Sequence, residues 1–540
     1  MLHQRAYGEV ISKIWFIRFQ TTLRSSSQQV CVRLLPSPGS FFDEPVHVKV
    51  DGLSPHQKVE LRSKLKDDKG VIFRASALVA ADASGQVDLC RSPSLGGSYT
   101  GVESMGLFWA MAAETPHSKL LKKNVLGSMM VDIEVLHGDT GELLATETNE
   151  RRFMTEGVRR IPLGMKEGRI RGVLFLPPGQ GPFPGVLDVY TLGGGISEVR
   201  ASLLANKGFV VLALAYYGFQ DLPRTVPKYF DLEYFEEAIT FLRQQPQVQG
   251  PGIGILSISK SGDLALSMAS FLSGISATAW INGSNANTVV PLHYKDLIIP
   301  SITPIVENVT FSPSGILDIR DALPDPETEV NRGSVIPIER SSSRFLFAAS
   351  EDDRNWNSCL FAQQAAARLR HHGKENFEVV MYPRAGHFLE VPYMPHCPSG
   401  FHPAVGQVVV FGGEAKAHHQ AQLDLWRRVQ DFFRKHLKGN NTGEKATLNT
   451  RGLRSTIQAS TLSSASPSMA PPRTRMKQVG TLADFIAVLF CIMCCDSLPL
   501  EASTKVRVMQ GQPPFSVGVF IGVTSAQTTQ LCGRHPFMTM

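Results

Sequence analysis

The sequence predicts a β-sandwich followed by a doubly wound α/β domain with a mostly parallel sheet, and three observations predict it. Residues 32–155 hold short alternating strands separated by turn signals. From about residue 156, nearly continuous apolar strands alternate with amphipathic helices, the pattern of a parallel sheet covered on both faces. The 540-residue length is ample for two cores.

The elements follow in order. Residues 1–31 form a leader that is basic and Ser-rich, with Arg5, Lys13, Arg18 and Arg24 against Glu9. It suits a mitochondrial presequence or an extension without an address, and it lacks the apolar core of a secretory signal. In the sandwich, "VHVKV" (46–50), "VELRSKL" (59–65) and "VDIEVL" (131–136) alternate, with turns at Asp51-Gly52, Asp67–Gly70 and Ser84-Gly85. In the α/β domain, residues 156–439, "PGVLDVY" leads to a helix over 196–207, and "FVVLALAYY" to a helix carrying Leu232, Phe235, Ile239 and Leu242. "GIGILSI", "ATAWING", "RFLFAAS" and "FEVVMYP" are the later strands, and a last helix carries Leu425, Val429, Phe432 and Leu437. The Pro/Ser/Gly-rich stretch 284–340 reads as a lid or substrate-binding insertion. Residues 440–540 lose periodicity and read as a largely disordered Ser/Thr/Pro-rich tail.

The net charge of +6 sits in the leader and the tail, leaving residues 31–440 nearly neutral. That excludes the basic stripe of a nucleic-acid binder. Eight Cys in so long a chain do not make a disulfide framework. Cys491-Ile-Met-Cys494 has knuckle spacing, but no second pair follows, so no metal is expected. The longest apolar run, "FIAVLFCIMCC", has 11 residues, short of the roughly 20 that span a bilayer. The chain does not end in a peroxisomal S-K-L. A reduced compartment, cytoplasmic or mitochondrial matrix, is expected, and the sequons at Asn282, Asn308 and Asn440 read as incidental.

The turn Ser259-Lys260-Ser261-Gly262 joins a strand to a helix, where a nucleophilic hydroxyl is exposed above a helix N-terminus. Ser257 and Ser261 stand where such elbows carry glycine, so the stretch also reads as a Ser-rich turn. "RFLFAASEDDRNW" puts Glu351, Asp352 and Asp353 after a later strand, and "FEVVMYPRAGHFLE" puts His387 after the next. Serine, acid and histidine in that order at successive strand ends are the arrangement of α/β-hydrolases. Gly193, Gly194 and Gly195 follow an earlier strand. That loop and the Lys260 amide are the expected oxyanion donors, with Gly193 the candidate in the loop.

The motifs "SLGGSYTGVESMGLFWAM", "PFPGVLDVYTLGGG", "ASLLANKGFVVLALAYYG", "DLEYFEEAITFL", "SISKSGDLALSMASFL" and "YPRAGHFLEVPY" resemble the acyl-CoA thioesterase / bile acid-CoA:amino acid N-acyltransferase family over about residues 32–437. The resemblance implies an immunoglobulin-like sandwich before an α/β-hydrolase domain. It also implies a nucleophile at Ser259, a base at His387 and an acid at Asp353, with Asp352 as local rival. Ser257, Ser261 and Thr191 depart from the thioesterases' glycines. The implied reaction is hydrolysis of long-chain fatty acyl-CoA to free fatty acid and CoA through a Ser-His-Asp triad and an acyl-serine intermediate. No cofactor is needed, and a monomer is expected. The alternatives are amino acid N-acyltransfer to glycine or taurine, and a member that binds acyl-CoA with little turnover. The conjugating branch resembles this chain at "DEPVHVKV" and "GLFWAM" and typically carries Cys as nucleophile. A thioester-linked acyl group is the better donor to an amine.

Overall fold

A computed structural model describes residues 29–438, all within one compact unit. The knuckle cysteines, Asn440, the apolar run after Leu482 and nearly all of the leader lie outside the described residues.

The N-terminal part is built from two sheets. Strands Cys31–Leu35, His47–Asp51 and Val87–Asp88 form a three-stranded antiparallel sheet. A seven-stranded sheet runs Gly39–Phe41, Leu143–Arg152, Met129–His137, Lys58–Lys66, Ile72–Ala80 and Gly96–Gly97, with Ala112–Ala113 also paired to Ile72–Ala80. Along Lys58–Lys66, Val59, Leu61, Ser63 and Leu65 are buried while their neighbours are not, as period-two patterning requires. The alternating runs read from the sequence lie within these strands.

The second part is an eight-stranded sheet. Its strands are β1 (Arg159–Pro162), β2 (Arg171–Leu176), β3 (Gly185–Val189), β4 (Val210–Ala215), β5 (Ile253–Ile258), β6 (Ile275–Ile281), β7 (Arg344–Ser350) and β8 (Phe377–Tyr382). Their spatial order is β1-β2-β4-β3-β5-β6-β7-β8. Both pairings of β2, with β1 and β4, are antiparallel, and every later pairing is parallel. This is an α/β-hydrolase-like sheet. The helices are α1 (Val199–Asn206), α2 (Leu232–Arg243), α3 (Ser261–Phe271), α4 (Ser358–His371) and α5 (Ala415–His436). Strand residues alternate between two apolar cores. Val211, Ala213, Leu256 and Ile258 pack toward α1 and α5. Val210, Leu212, Ile253 and Ile255 pack toward α2, α3 and α4. The first of these cores continues without a break into Val59, Val79 and Phe153 of the N-terminal sheets.

The structure adds two details to the sequence reading. Helix α5 starts at Ala415, ten residues before the first apolar position read for it, Leu425, because Ala417, His418, His419 and Ala421 are also buried. Among the described residues, the 284–340 insertion contains no α-helix. It contains the short hairpin Leu292–Tyr294/Leu297–Ile299, the pair Thr310–Phe311/Leu317–Asp318 and three-residue 3-10 turns. Its first residues, Ser284 to Thr288, are buried, with Asn287 and Thr288 bonded to Lys260 and Asp263.

Candidate active site

β5 ends at Ile258 and α3 starts at Ser261, so the chain reverses within two residues. Ser259 takes φ +61°, a left-handed conformation that a non-glycine side chain adopts at a cost of about 1–3 kcal/mol. The turn is held from within. Ser261 Oγ accepts the Ile258 amide at 2.8 Å and donates to the Val189 carbonyl at 2.7 Å. Ser257 Oγ donates to the Ala279 carbonyl at 3.0 Å. Both serines therefore act on the backbone, and neither faces the turn's apex. Gly262 is the position that must stay bare, since a Cβ there would lie 2.8 Å from Gly283 Cα and 2.9 Å from the Trp280 ring.

Ser259 Oγ lies 2.9 Å from His387 Nε2, and His387 Nδ1 lies 2.9 and 3.0 Å from the two oxygens of Asp353. All three are buried. Asp353 is fixed by the Asn355 amide at 2.9 Å, so its carboxylate cannot turn away from the ring. Asp352 is engaged elsewhere, with Arg354 Nε at 2.7 Å and the Gly413 amide at 2.8 Å. The geometry thus joins Ser259, His387 and Asp353 and leaves Asp352 out. Such a line can carry a proton from a hydroxyl to an imidazole whose other nitrogen is oriented by an anion. Gly193 follows β3 and Lys260 follows β5, and these strands are neighbours, so the two turns leave the sheet side by side at its carboxyl end.

Lys260 extends from the turn into the protein. Its Nζ donates to Asp263 at 2.8 Å, the Thr288 carbonyl at 2.7 Å and Asn287 at 3.3 Å. Burial lowers the lysine and raises the carboxyl, each opposed by the partner's charge. The pair anchors the start of the 284–340 insertion to the Ser259 turn. On the other side of the site, Lys119 bonds both Tyr190 and Glu390, three residues past His387. Burial works against the Glu390 charge. Lys119 outweighs it and holds the carboxyl below its ordinary value.

Comparison with known proteins bears on what this site belongs to. The family described as "Acyl-CoA thioester hydrolase/BAAT N-terminal region" matches residues 43–164, and "BAAT / Acyl-CoA thioester hydrolase C terminal" matches residues 230–439. Acyl-coenzyme A thioesterase 1 of Rattus norvegicus is 50% identical over 418 residues, 77% of this chain and 99% of that protein. The chain belongs to the acyl-CoA thioester hydrolase/BAAT family. Other relatives are acyl-coenzyme A thioesterase 2, mitochondrial, of Rattus norvegicus (49% identical over 76% of this chain and 90% of that protein) and acyl-coenzyme A thioesterase 1 of Homo sapiens (47% over 75% and 97%).

A second cluster of titratable groups lies on the N-terminal sheets. His47, Asp88 and Cys90 bring one imidazole, one carboxylate and one thiol atom within 4.8 Å of one another. His47 Nε2 lies 2.5 Å from Asp88 Oδ1, which also accepts the Cys90 amide at 3.0 Å. Burial works against the Asp88 charge, but bonds from His47, the Cys90 amide and Lys49 keep its carboxyl well below the ordinary range. Burial and then the Asp88 charge push the Cys90 thiol up, so the resting group keeps its proton. The set is of the kind that could hold a metal ion, and Cys90 is exposed at its edge. Sequence reasoning missed it because His47 and Asp88 are 41 residues apart and meet only through pairing of strands His47–Asp51 and Val87–Asp88.

Proposed function

We propose that this chain passes the acyl group of an acyl-CoA thioester to the amine of an amino acid, glycine or taurine. The observation that carries this reading is the line Ser259–His387–Asp353, which can take an acyl group from a thioester. In the step, Ser259 gives its proton to His387 and its oxygen attacks the carbonyl carbon. The bond to the CoA sulfur breaks, and CoA leaves as the thiol with that proton. The amine then forms the C–N bond, the Ser259 C–O bond breaks, and the hydroxyl is restored. The thioesterase names of the relatives support acyl-CoA as donor, and a cytoplasmic or mitochondrial-matrix setting goes with the reading.

For the α/β domain we propose Ser259, His387 and Asp353 as catalytic residues that move protons at the acyl-CoA thioester. The Lys260 and Gly193 amides face its carbonyl oxygen. The N-terminal sheets are assigned as an immunoglobulin-like sandwich over 32–155, with the α/β-hydrolase domain over 156–439.

The test is amide formation and CoA release by wild type and Ser259→Ala, with acyl-CoA and excess glycine or taurine. The reading expects N-acyl amino acid from wild type, and CoA release to fall about a hundredfold or more in Ser259→Ala. Free fatty acid in place of the amide overturns the amine as acceptor. Wild-type CoA release by Ser259→Ala overturns the proposed catalytic residues.

A further inference from the structure

We infer that His418, on α5, is a positioning residue that holds the backbone on both sides of His387, with Asn282 closing the bracket between them. The inference rests on the reading of His387 as a catalytic base. The Gly386 amide donates to His418 Nδ1 at 3.0 Å, and His418 Nε2 donates to the Phe388 carbonyl at 2.9 Å. One ring therefore spans the residue before and the residue after His387. Asn282 Nδ2 donates to the His387 carbonyl at 2.7 Å and to the Gly386 carbonyl at 3.3 Å. The His387 amide donates to the Phe411 carbonyl at 2.9 Å. Every one of these loop groups is thus paired with a partner outside the loop.

The bonding fixes the chemical state of His418. A backbone amide can only donate and a carbonyl can only accept, so Nδ1 is bare and Nε2 carries the proton. The ring has to be neutral and in one tautomer. Burial, reinforced by neighbouring His396 and His419, holds it at about 3, which keeps it neutral near pH 7. Asn282 extends the bracket to the acid: its Oδ1 accepts the Ser350 amide at 2.8 Å, three residues before Asp353. The ends of β6 and β7 and the His387 loop therefore form one hydrogen-bonded body. His418 and Asn282 are 3% and 0% exposed, so water cannot replace these bonds.

A base displaced by about 1 Å loses on the order of a hundredfold in turnover without a matching loss in substrate binding. His418→Phe keeps the ring's bulk and removes both bonds. His418→Asn keeps an acceptor near the Nδ1 position, and His418→Gln keeps a donor near Nε2. CoA release is measured at varied acyl-CoA, with thermal midpoints for each variant. His418→Phe is expected to lose ten- to a hundredfold in kcat with KM within about twofold, and His418→Asn to recover part of the loss. If His418→Phe does not fold, His418→Leu, which also removes both bonds, takes its place in the same comparison. A folded Phe or Leu variant with wild-type kcat overturns the positioning role. His387→Ala is run beside them. Wild-type CoA release there overturns the base reading and this one together, whereas loss there with wild-type kcat in the His418 variants overturns this one alone.

Discussion

At the residue scale, Ser261 shows how a side chain can replace glycine at a crowded turn. Its hydroxyl serves the Ile258 amide and the Val189 carbonyl, tying the end of β5 to the end of β3. Ser261→Ala takes the side-chain partner from the buried Ile258 amide, while the Val189 carbonyl keeps Arg200 at 3.1 Å, and is expected to cost about 1–3 kcal/mol. Urea unfolding reads this directly, and an unchanged midpoint would contradict it. The departure from the glycine pattern at 257 and 261 was visible in the sequence. Its resolution was not, because it depends on which way two hydroxyls turn in three dimensions. Asn282 is a similar case. It read as the first residue of an incidental sequon, yet it is fully buried at φ +44° and bonded to two loops. A sequon gives no sign of burial.

At the element scale, α5 and the strands around it carry the charges that burial has to manage. His418 is held at about 3 and His419 at about 4, both mainly by burial, against an ordinary 6.5. The unfolded chain takes up these protons below about pH 6.5 while the folded chain refuses them until pH 3–4. Stability from this source is therefore whole above about pH 6.5 and falls as the pH drops, by about 1.4 kcal/mol per pH unit for each ring. His419 stacks on Trp109 at 5.2 Å and 8°, so His419→Phe keeps the packing and removes one titrating group. Unfolding free energy between pH 4.5 and 6.5 should fall less steeply in His419→Phe, and parallel slopes would refute the assignment. The amphipathic spacing of α5 was readable from Leu425 onward. Its first turns were not, since buried histidines do not register in an apolar pattern. By contrast "RFLFAAS" delimits β7 residue for residue, because a strand buried on both faces shows as a continuous apolar run.

At the scale of the whole molecule, one apolar core joins the N-terminal sheets to α1, α5 and one face of the main sheet. Lys119 crosses that junction to Glu390 and Tyr190, beside the loop that carries His387. Lys119→Met would leave the Glu390 charge buried without its partner. Removing one member of such a pair costs about 3–5 kcal/mol, and the lower end applies because the Lys119 side chain is 28% exposed. Differential scanning calorimetry should show a single transition moved down. An unmoved transition would separate Lys119 from the stability of the junction. The succession of strands along the chain was legible because it follows from local pattern. The Cys90 grouping and the Lys119 crossing were not, because each depends on pairing between distant segments. The most direct test of the proposed reaction is mass spectrometry of the products that wild-type enzyme forms from a long-chain acyl-CoA with excess isotopically labelled glycine or taurine. The account predicts labelled N-acyl amino acid as the main product, formed in step with CoA release. Free fatty acid as the main product, with the label left in the free amino acid, would contradict it.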